Sequence, residues 1–212
     1  TLSAEIAVLR KASPGKAERR LERYRSLYSG RNLIAVSQGV ADDLRLNLGL
    51  QANIVQIYNP FDIGDIRCLA SEADAELPAV PYMVHVGSFA PQKRHDLLFE
   101  AFKPFAATHK LVLLVNPDAR LEDMLNRYGI RESVILAGFR KNPYPWLKHA
   151  DLLVLCSDRE GMPNVLVEAM ICGTQVVSTD CPSGPREVMT GELARRLVPV
   201  NDVQALAGAM GD

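Results

Sequence analysis

From Tyr82 onward the chain alternates short, almost wholly apolar runs with longer amphipathic ones. The runs "YMVHVG", "KLVLLVN", "SVILAG", "DLLVLCS", "QVVSTD" and "ARRLVPV" have the length of strands. Between them, "KRHDLLFEAFKPFAATH", "DARLEDMLNRYG", "PYPWLKHA", "PNVLVEAMICG" and "GPREVMT" carry helical spacing, and "DVQALAGAM" opens a last helix. Pro104 is expected to bend the first of these helices. A strand that is apolar on both sides has no face to show to water. The pattern therefore predicts an α/β fold, a doubly wound parallel sheet covered by helices on both faces.

The first 61 residues keep a looser beat. Positions 3–27 are helical in composition and basic from Lys16 to Arg25. "NLIAVS" (32–37) reads as a buried strand, "QGVADDLRLNLG" (38–49) as a helix ended by Gly49, and "NIVQIYNPFD" (53–62) as a strand stopping at Asn59–Pro60. The acidic, turn-rich "DIGDIRCLASEADAELPAVP" then reads as a linker into a new unit. The expected division is a partial second α/β unit over 1–61 and a principal domain over 62–212. The chain opens without Met, and residues 1–60 lack sheet partners of their own, so a fragment of a larger protein is expected.

Composition narrows the function classes. The chain has 212 residues, 48% hydrophobic and 23% charged, with a net charge of −1. That length suits one or two domains with a substantial core. Such balanced charge argues against disorder and against a global polyanion-binding surface, so no nucleic-acid partner is expected and any anion site must be local. The longest apolar runs are far short of a membrane span, and charges stand where a signal peptide would be apolar. Four widely spaced cysteines (68, 156, 172 and 181) form no CxxC and no metal-like pairing with histidine. They read as reduced, mostly buried thiols of a cytoplasmic protein. The basic segment 16–25 leaves a peripheral contact with anionic lipid open. Its short length and interleaved glutamates argue for a solvated helix face instead.

Ligands on parallel sheets bind beyond the carboxyl ends of the strands. That rule selects 87–93, 138–142, 157–164 and 180–184. In "SDREGMPNVLVEAM" (157–170), Pro163 stands where a helix begins, a position that tolerates the missing N–H. The amides of Asn164, Val165 and Leu166 are expected to point into the loop and, with the helix dipole, to seat a phosphate. Gly161 would let the ligand approach the backbone. Glu160 precedes this seat, and Glu168 lies more than one turn up the helix. Carboxylates there would repel phosphate but accept hydrogen bonds from hydroxyls. A nucleoside diphosphate sugar offers hydroxyls on both flanks of its diphosphate. The alternative is a surface glutamate plus a helix glutamate paired with a nearby arginine.

The other loops add candidates. Lys93 and Arg94 stand at the head of a helix, unfavourably for its dipole, and a nearby anion would offset that cost. Phe139 and Arg140 are flat groups able to stack on a base. Ser183 reads as a helix cap, with Arg186 and Glu187 left between ligand and structural roles. His85 and His149 read as hydrogen-bonded structural histidines. GxSxG, HExxH, Walker and GxGxxG elements do not occur, which argues against hydrolase, zinc protease, P-loop and dinucleotide readings.

These loops together carry a resemblance. Residues 82–210, through "HVGSFAPQKRHDLLFEAF", "LAGFRKNPYPWLKHADLLVLCSDREGMPNVLVEAMICGTQVVSTDCPSGPREVM" and "RLVPVNDVQALAGAM", resemble the Rossmann-like, donor-binding C-terminal domain of retaining GT-B glycosyltransferases of the family 4 group. Glu160 and Glu168, an E-x7-E element, are its most specific part. "LIAVSQGVADDL" and "VQIYNPFD" look like the end of the acceptor-binding N-terminal domain. The resemblance implies that Glu168 accepts the ribose hydroxyls, that Glu160 contacts the transferred sugar, and that the amides of 164–166 hold phosphate beside Gly161, Met162 and Pro163. It implies that Lys93, after Gly87, binds the diphosphate and supports it as it leaves, and that Gly138 and Phe139 line the base pocket. It implies metal independence, no cofactor, a UDP-sugar donor, and front-face attack without a protein nucleophile. The acceptor would be a glycan or lipid carrier in polysaccharide or lipopolysaccharide synthesis, held by the missing N-terminal part. Without that part the fragment would bind a nucleotide sugar but not transfer it. One position departs from the pattern: Ser88 stands where the family usually places an arginine, so either Arg94 substitutes, the donor binds more weakly, or Ser88 reflects a different geometry.

Overall fold

In the computed structural model, which describes residues 2–212, two α/β units follow one another. The first begins with helices α1 (Leu2–Ala12) and α2 (Pro14–Tyr28). The stretch 3–27, helical in composition, divides into two helices because Ser13 is extended and Pro14 takes the first helical position, where no N–H is needed. Strand β1 (Asn32–Ala35) leads to α3 (Gln38–Asp42), which widens into a π-turn over Asp43–Asn47 before Gly49 turns left-handed at φ 63°. Strand β2 (Asn53–Gln56) pairs in parallel with β1, so residues 1–60 do have a sheet partner of their own, contrary to the expectation, and β2 is shorter than the run 53–62 suggests. Ile6, Leu21, Ala35, Leu44, Leu48 and Ile54 form this unit's own core.

The stretch expected to be a linker instead contains helix α4 (Ile63–Leu69). Asp62 caps it, its carboxylate accepting from the Asp65 amide at 2.9 Å. The helix is followed by β3 (Tyr82–Val86), α5 (His95–Phe102), β4 (Lys110–Leu114), α6 (Ala119–Tyr128) and β5 (Val134–Leu136). Pro104 does end α5, in a 3-10 turn over Lys103–Phe105. Then come α7 (Tyr144–Lys148), β6 (Leu152–Leu155), α8 (Asn164–Cys172) and β7 (Gln175–Thr179). The chain closes with α9 (Pro185–Val188), a 3-10 stretch over Gly191–Arg196, the two-residue β8 (Leu197–Val198) and α10 (Val203–Gly211).

All six strands of the main sheet run parallel in the order β5-β4-β3-β6-β7-β8. One core cluster packs α5, α6 and α10 against one face through Leu98, Phe99, Leu121, Leu125 and Leu206. The other face is covered by α7 and α8 through Trp146, Leu147, Leu166 and Ala169. Burial on both faces is why the strands are mostly apolar. The chain winds outward from β3 to β5, then returns to lay β6 against β3 and winds the other way. The topological switch point lies between β3 and β6, where such sheets open a crevice. The loops that leave those two strands bear Lys93 and Glu160.

Candidate functional site

Both loops converge over the switch point. Lys93 ends a 3-10 turn (Pro91–Lys93), and its ammonium donates to Glu160 Oε1 at 2.6 Å. Both side chains are less than one-fifth exposed. Ser157 Oγ donates to the same oxygen at 2.6 Å, and the Asp158 amide donates to the Gln92 carbonyl at 2.8 Å, lacing one loop to the other. Lys93 and Glu160 are thus neighbours and form an ion pair. A hydroxyl that takes Glu160 and an anion that takes Lys93 can replace that pair without leaving either charge unsatisfied.

His85 lies fully buried beneath them. Its Nδ1–H donates to the Val154 carbonyl of the neighbouring strand at 3.0 Å, which makes it the structural histidine expected. Burial pushes its pKa down to about 4, so it is neutral, and its Nε2 lone pair has no partner. A methyl group on Gly87 would sit 3.5 Å from both that nitrogen and Lys93 Cε, so Gly87 keeps the floor of the crevice open. His149 also fills a structural role, bonding the Pro145 carbonyl at 2.8 Å.

Arg94 is committed elsewhere. It adopts the left-handed conformation at φ 50°, and its guanidinium bonds Asp96 at 2.8 Å, Asp158 at 2.8 Å and Asn201. Two carboxylates hold its charge, so Arg94 does not stand in for the cationic arm missing at Ser88, which is exposed and carries no charge.

The phosphate seat is narrower than the sequence suggests. Pro163 precedes α8 with ψ 78°, and this bend turns the Asn164 amide onto the Met162 carbonyl at 3.0 Å. The Leu166 amide bonds the Pro163 carbonyl at 3.0 Å. Of the three expected amides, only that of Val165 faces the loop without a carbonyl partner here. Gly161 abuts the first unit: a methyl there would meet Val36 Cγ2 at 3.6 Å and Val40 Cγ2 at 3.9 Å.

Glu168 is half-buried up α8, beside Tyr144 and Cys172, with no hydrogen-bond or ion-pair partner among the described residues. Burial raises its pKa. The pairing with a nearby arginine, the alternative drawn from the sequence, is absent at this glutamate among the described residues. A desolvated carboxylate without donors is costly unless a ligand supplies them. Phe139 is 75% exposed beside Gly138, which is left-handed at φ 76°. Arg140, by contrast, is not free to stack on a base: it pairs with Glu76 at 2.6 Å and lies 4.9 Å over the Trp146 ring.

In the last loop Ser183 does not cap α9; Gly184 takes that position, and Ser183 is itself left-handed at φ 69°. Arg186 pairs with Asp180. Glu187 reaches across to the first unit, as do Asn59 and Tyr58 from the other side. Sequence reasoning missed these cross-unit partners and Ser157; the three-residue spacing of Ser157 and Glu160 was the visible signal for the latter. The four cysteines are free, with Cys156 and Cys181 buried and pushed up to about 12 by that burial, while Cys68 is exposed.

Known proteins resemble this chain in sequence and in fold. The family model described as "Glycosyl transferases group 1" matches residues 80–212, more than half of the chain. The N-acetylgalactosamine-N,N'-diacetylbacillosaminyl-diphospho-undecaprenol 4-alpha-N-acetylgalactosaminyltransferase of Campylobacter jejuni is 32% identical over 174 residues, which are 80% of this chain and 47% of that protein. The lipopolysaccharide 1,6-galactosyltransferase of Salmonella typhimurium is 30% identical over 171 residues, 76% of this chain and 47% of the relative. This chain thus spans about half the length of these curated relatives. Among solved structures, Anabaena HepE in complex with UDP and glucose superposes with a TM-score of 0.77 at 22% identity, covering 94% of this chain and 58% of the other. Sheet order and family match agree: the chain belongs to the group 1 glycosyl transferases and has the α/β fold of a GT-B glycosyltransferase.

Proposed function

We propose that this chain holds the nucleoside diphosphate sugar for a retaining, metal-independent glycosyltransferase of cell-surface polysaccharide or lipopolysaccharide synthesis. The observation that carries the reading is the set of three groups near the switch point: Lys93 and Glu160 paired at 2.6 Å, and Glu168 half-buried without a donor. In this reading the diphosphate displaces Glu160 from Lys93 and takes the Val165 amide. Glu160 then turns to a hydroxyl of the transferred sugar, and Glu168 accepts the ribose hydroxyls. Gly138 and Phe139 line the base pocket. As the bond to the sugar breaks, charge grows on the diphosphate, and Lys93 with the α8 dipole stabilises it where it develops. No side chain is assigned as nucleophile.

The neighbour solved with UDP and glucose supports a uridine donor. The activities for which the Campylobacter and Salmonella relatives are named support a lipid-linked or lipopolysaccharide acceptor. In this reading the chain by itself binds a nucleotide sugar without transferring it. A thermal-shift panel of UDP-, GDP- and ADP-sugars tests the reading: stabilisation by uridine compounds alone is expected, and stabilisation by none would contradict it. The exposed basic face of α2 supports peripheral contact with anionic lipid as a lesser part of the proposal. Salt-sensitive binding to anionic vesicles, lost on charge reversal at Arg19 and Arg23, is the corresponding measurement; no binding to such vesicles would remove this part.

A further inference from the structure

Glu187 makes the most connected contact between the two units. Its Oε2 accepts from the Gln38 amide at 2.7 Å and from the Tyr58 hydroxyl at 3.0 Å, and its Oε1 accepts from the Gly39 amide at 2.9 Å. Gln38 and Gly39 open α3, whose next amide, that of Val40, is already taken by Ser37 Oγ at 3.2 Å. The carboxylate therefore completes the cap of a helix in the other unit, with charge-assisted bonds to donors that helix cannot satisfy itself.

Backbone contacts continue from this cap to the donor loop. A methyl on Gly39 would lie 2.8 Å from Ser183 Cα, and one on Gly184 would lie 2.4 Å from Pro163 Cδ and 3.0 Å from the Gly161 carbonyl. Loop 181–184 is thus wedged between α3 and the mouth of α8 with no room for one carbon on either side. The same seating brings Val36 and Val40 against Gly161. An acidic group with only a surface role would need neither the three donors nor this interleaving.

We infer that Glu187 is a positioning residue: by capping α3 across the unit boundary it seats the first unit on loop 181–184 and holds the 157–164 loop in its ligand-binding register. It touches no substrate. The inference rests on the donor-site reading for its consequence on binding, but its mechanical part stands apart from it.

The experiment therefore has two arms on this chain, with Glu187→Ala, the conservative Glu187→Gln and, should the alanine variant fail to fold, Tyr58→Phe. Hydrogen exchange without ligand is expected to show faster exchange in Glu187→Ala at residues 38–39 and also at 160–166, which a cap of purely local effect would leave unchanged. Calorimetry with UDP is expected to show roughly tenfold weaker binding in Glu187→Ala, substantial rescue in Glu187→Gln, which keeps an acceptor oxygen, and a smaller loss in Tyr58→Phe. Faster exchange confined to 38–39, with UDP binding as in the wild type, would overturn the inference. Wild-type chain that binds no nucleotide while Glu187→Ala still loosens 160–166 would overturn the donor reading and leave the positioning role supported.

Discussion

At the residue scale, the candidate site centres on one ion pair. Lys93 and Glu160 are mostly buried, so removing one leaves the other's charge poorly solvated. Lys93→Ala is expected to nearly abolish UDP binding by calorimetry, whereas Ser88→Arg leaves it intact or tightens it; equal affinity of wild type and Lys93→Ala would remove Lys93 from the site. Glu168 gives a prediction with two signs. Its burial disfavours the charged form, so Glu168→Gln is expected to hold or raise Tm. The same change weakens charge-assisted bonds to hydroxyls, costing roughly 1.5–3 kcal/mol, about ten- to a hundredfold in affinity for UDP. The carboxylate pair and Lys93 were legible in the sequence because a strand end, a glycine and a helix start fix their places locally. Arg94 was not: its left-handed backbone and its hold on Asp158 and Asn201 depend on residues 64 and 107 positions away. Ser183 misled for a similar reason, since its φ of 69° removes it from the cap.

Elements were legible where burial on two sides wrote long apolar runs, as in β3, β4, β6 and β7. Helix α4 was hidden beneath an acidic composition, although Asp62 and Asp65 have capping spacing and Ile66 is buried. The break at Ser13–Pro14 was readable from the proline alone. The π-turn over 43–47 was not, because a widened turn has no residue signature of its own. At this scale the test is Gly184→Ala. A side chain at φ 92° is strained, and its methyl would strike Pro163, so a loss of roughly 1–3 kcal/mol is expected, read as a drop of several degrees in Tm. An unchanged Tm would mean that loop 181–184 is not wedged against α8.

For the whole molecule, the switch point and the boundary between units meet in one region. Sequence pattern alone reached the parallel sheet and its loop ends. It did not reach the contact of Glu187 with α3, which joins residues nearly 150 positions apart. Burial pushes Glu187 up, but the amides of Gly39 and Gln38 and the Tyr58 hydroxyl outweigh it and hold it below the usual carboxylate range. Its contribution therefore stands in full above the ordinary glutamate pKa near ~4.3 and fades as pH falls toward its lower folded value. The Tm gap between wild type and Glu187→Ala is expected to be wider at neutral pH than in acid; a gap that grows on acidification would contradict the capping contact.

The most direct measurement is a crystal structure of this chain soaked with UDP. The account predicts the ribose hydroxyls on Glu168, the diphosphate between Lys93 and the Val165 amide, and the Lys93–Glu160 bond opened. UDP bound at another place, with that bond still closed and Glu168 still without a donor, would contradict it.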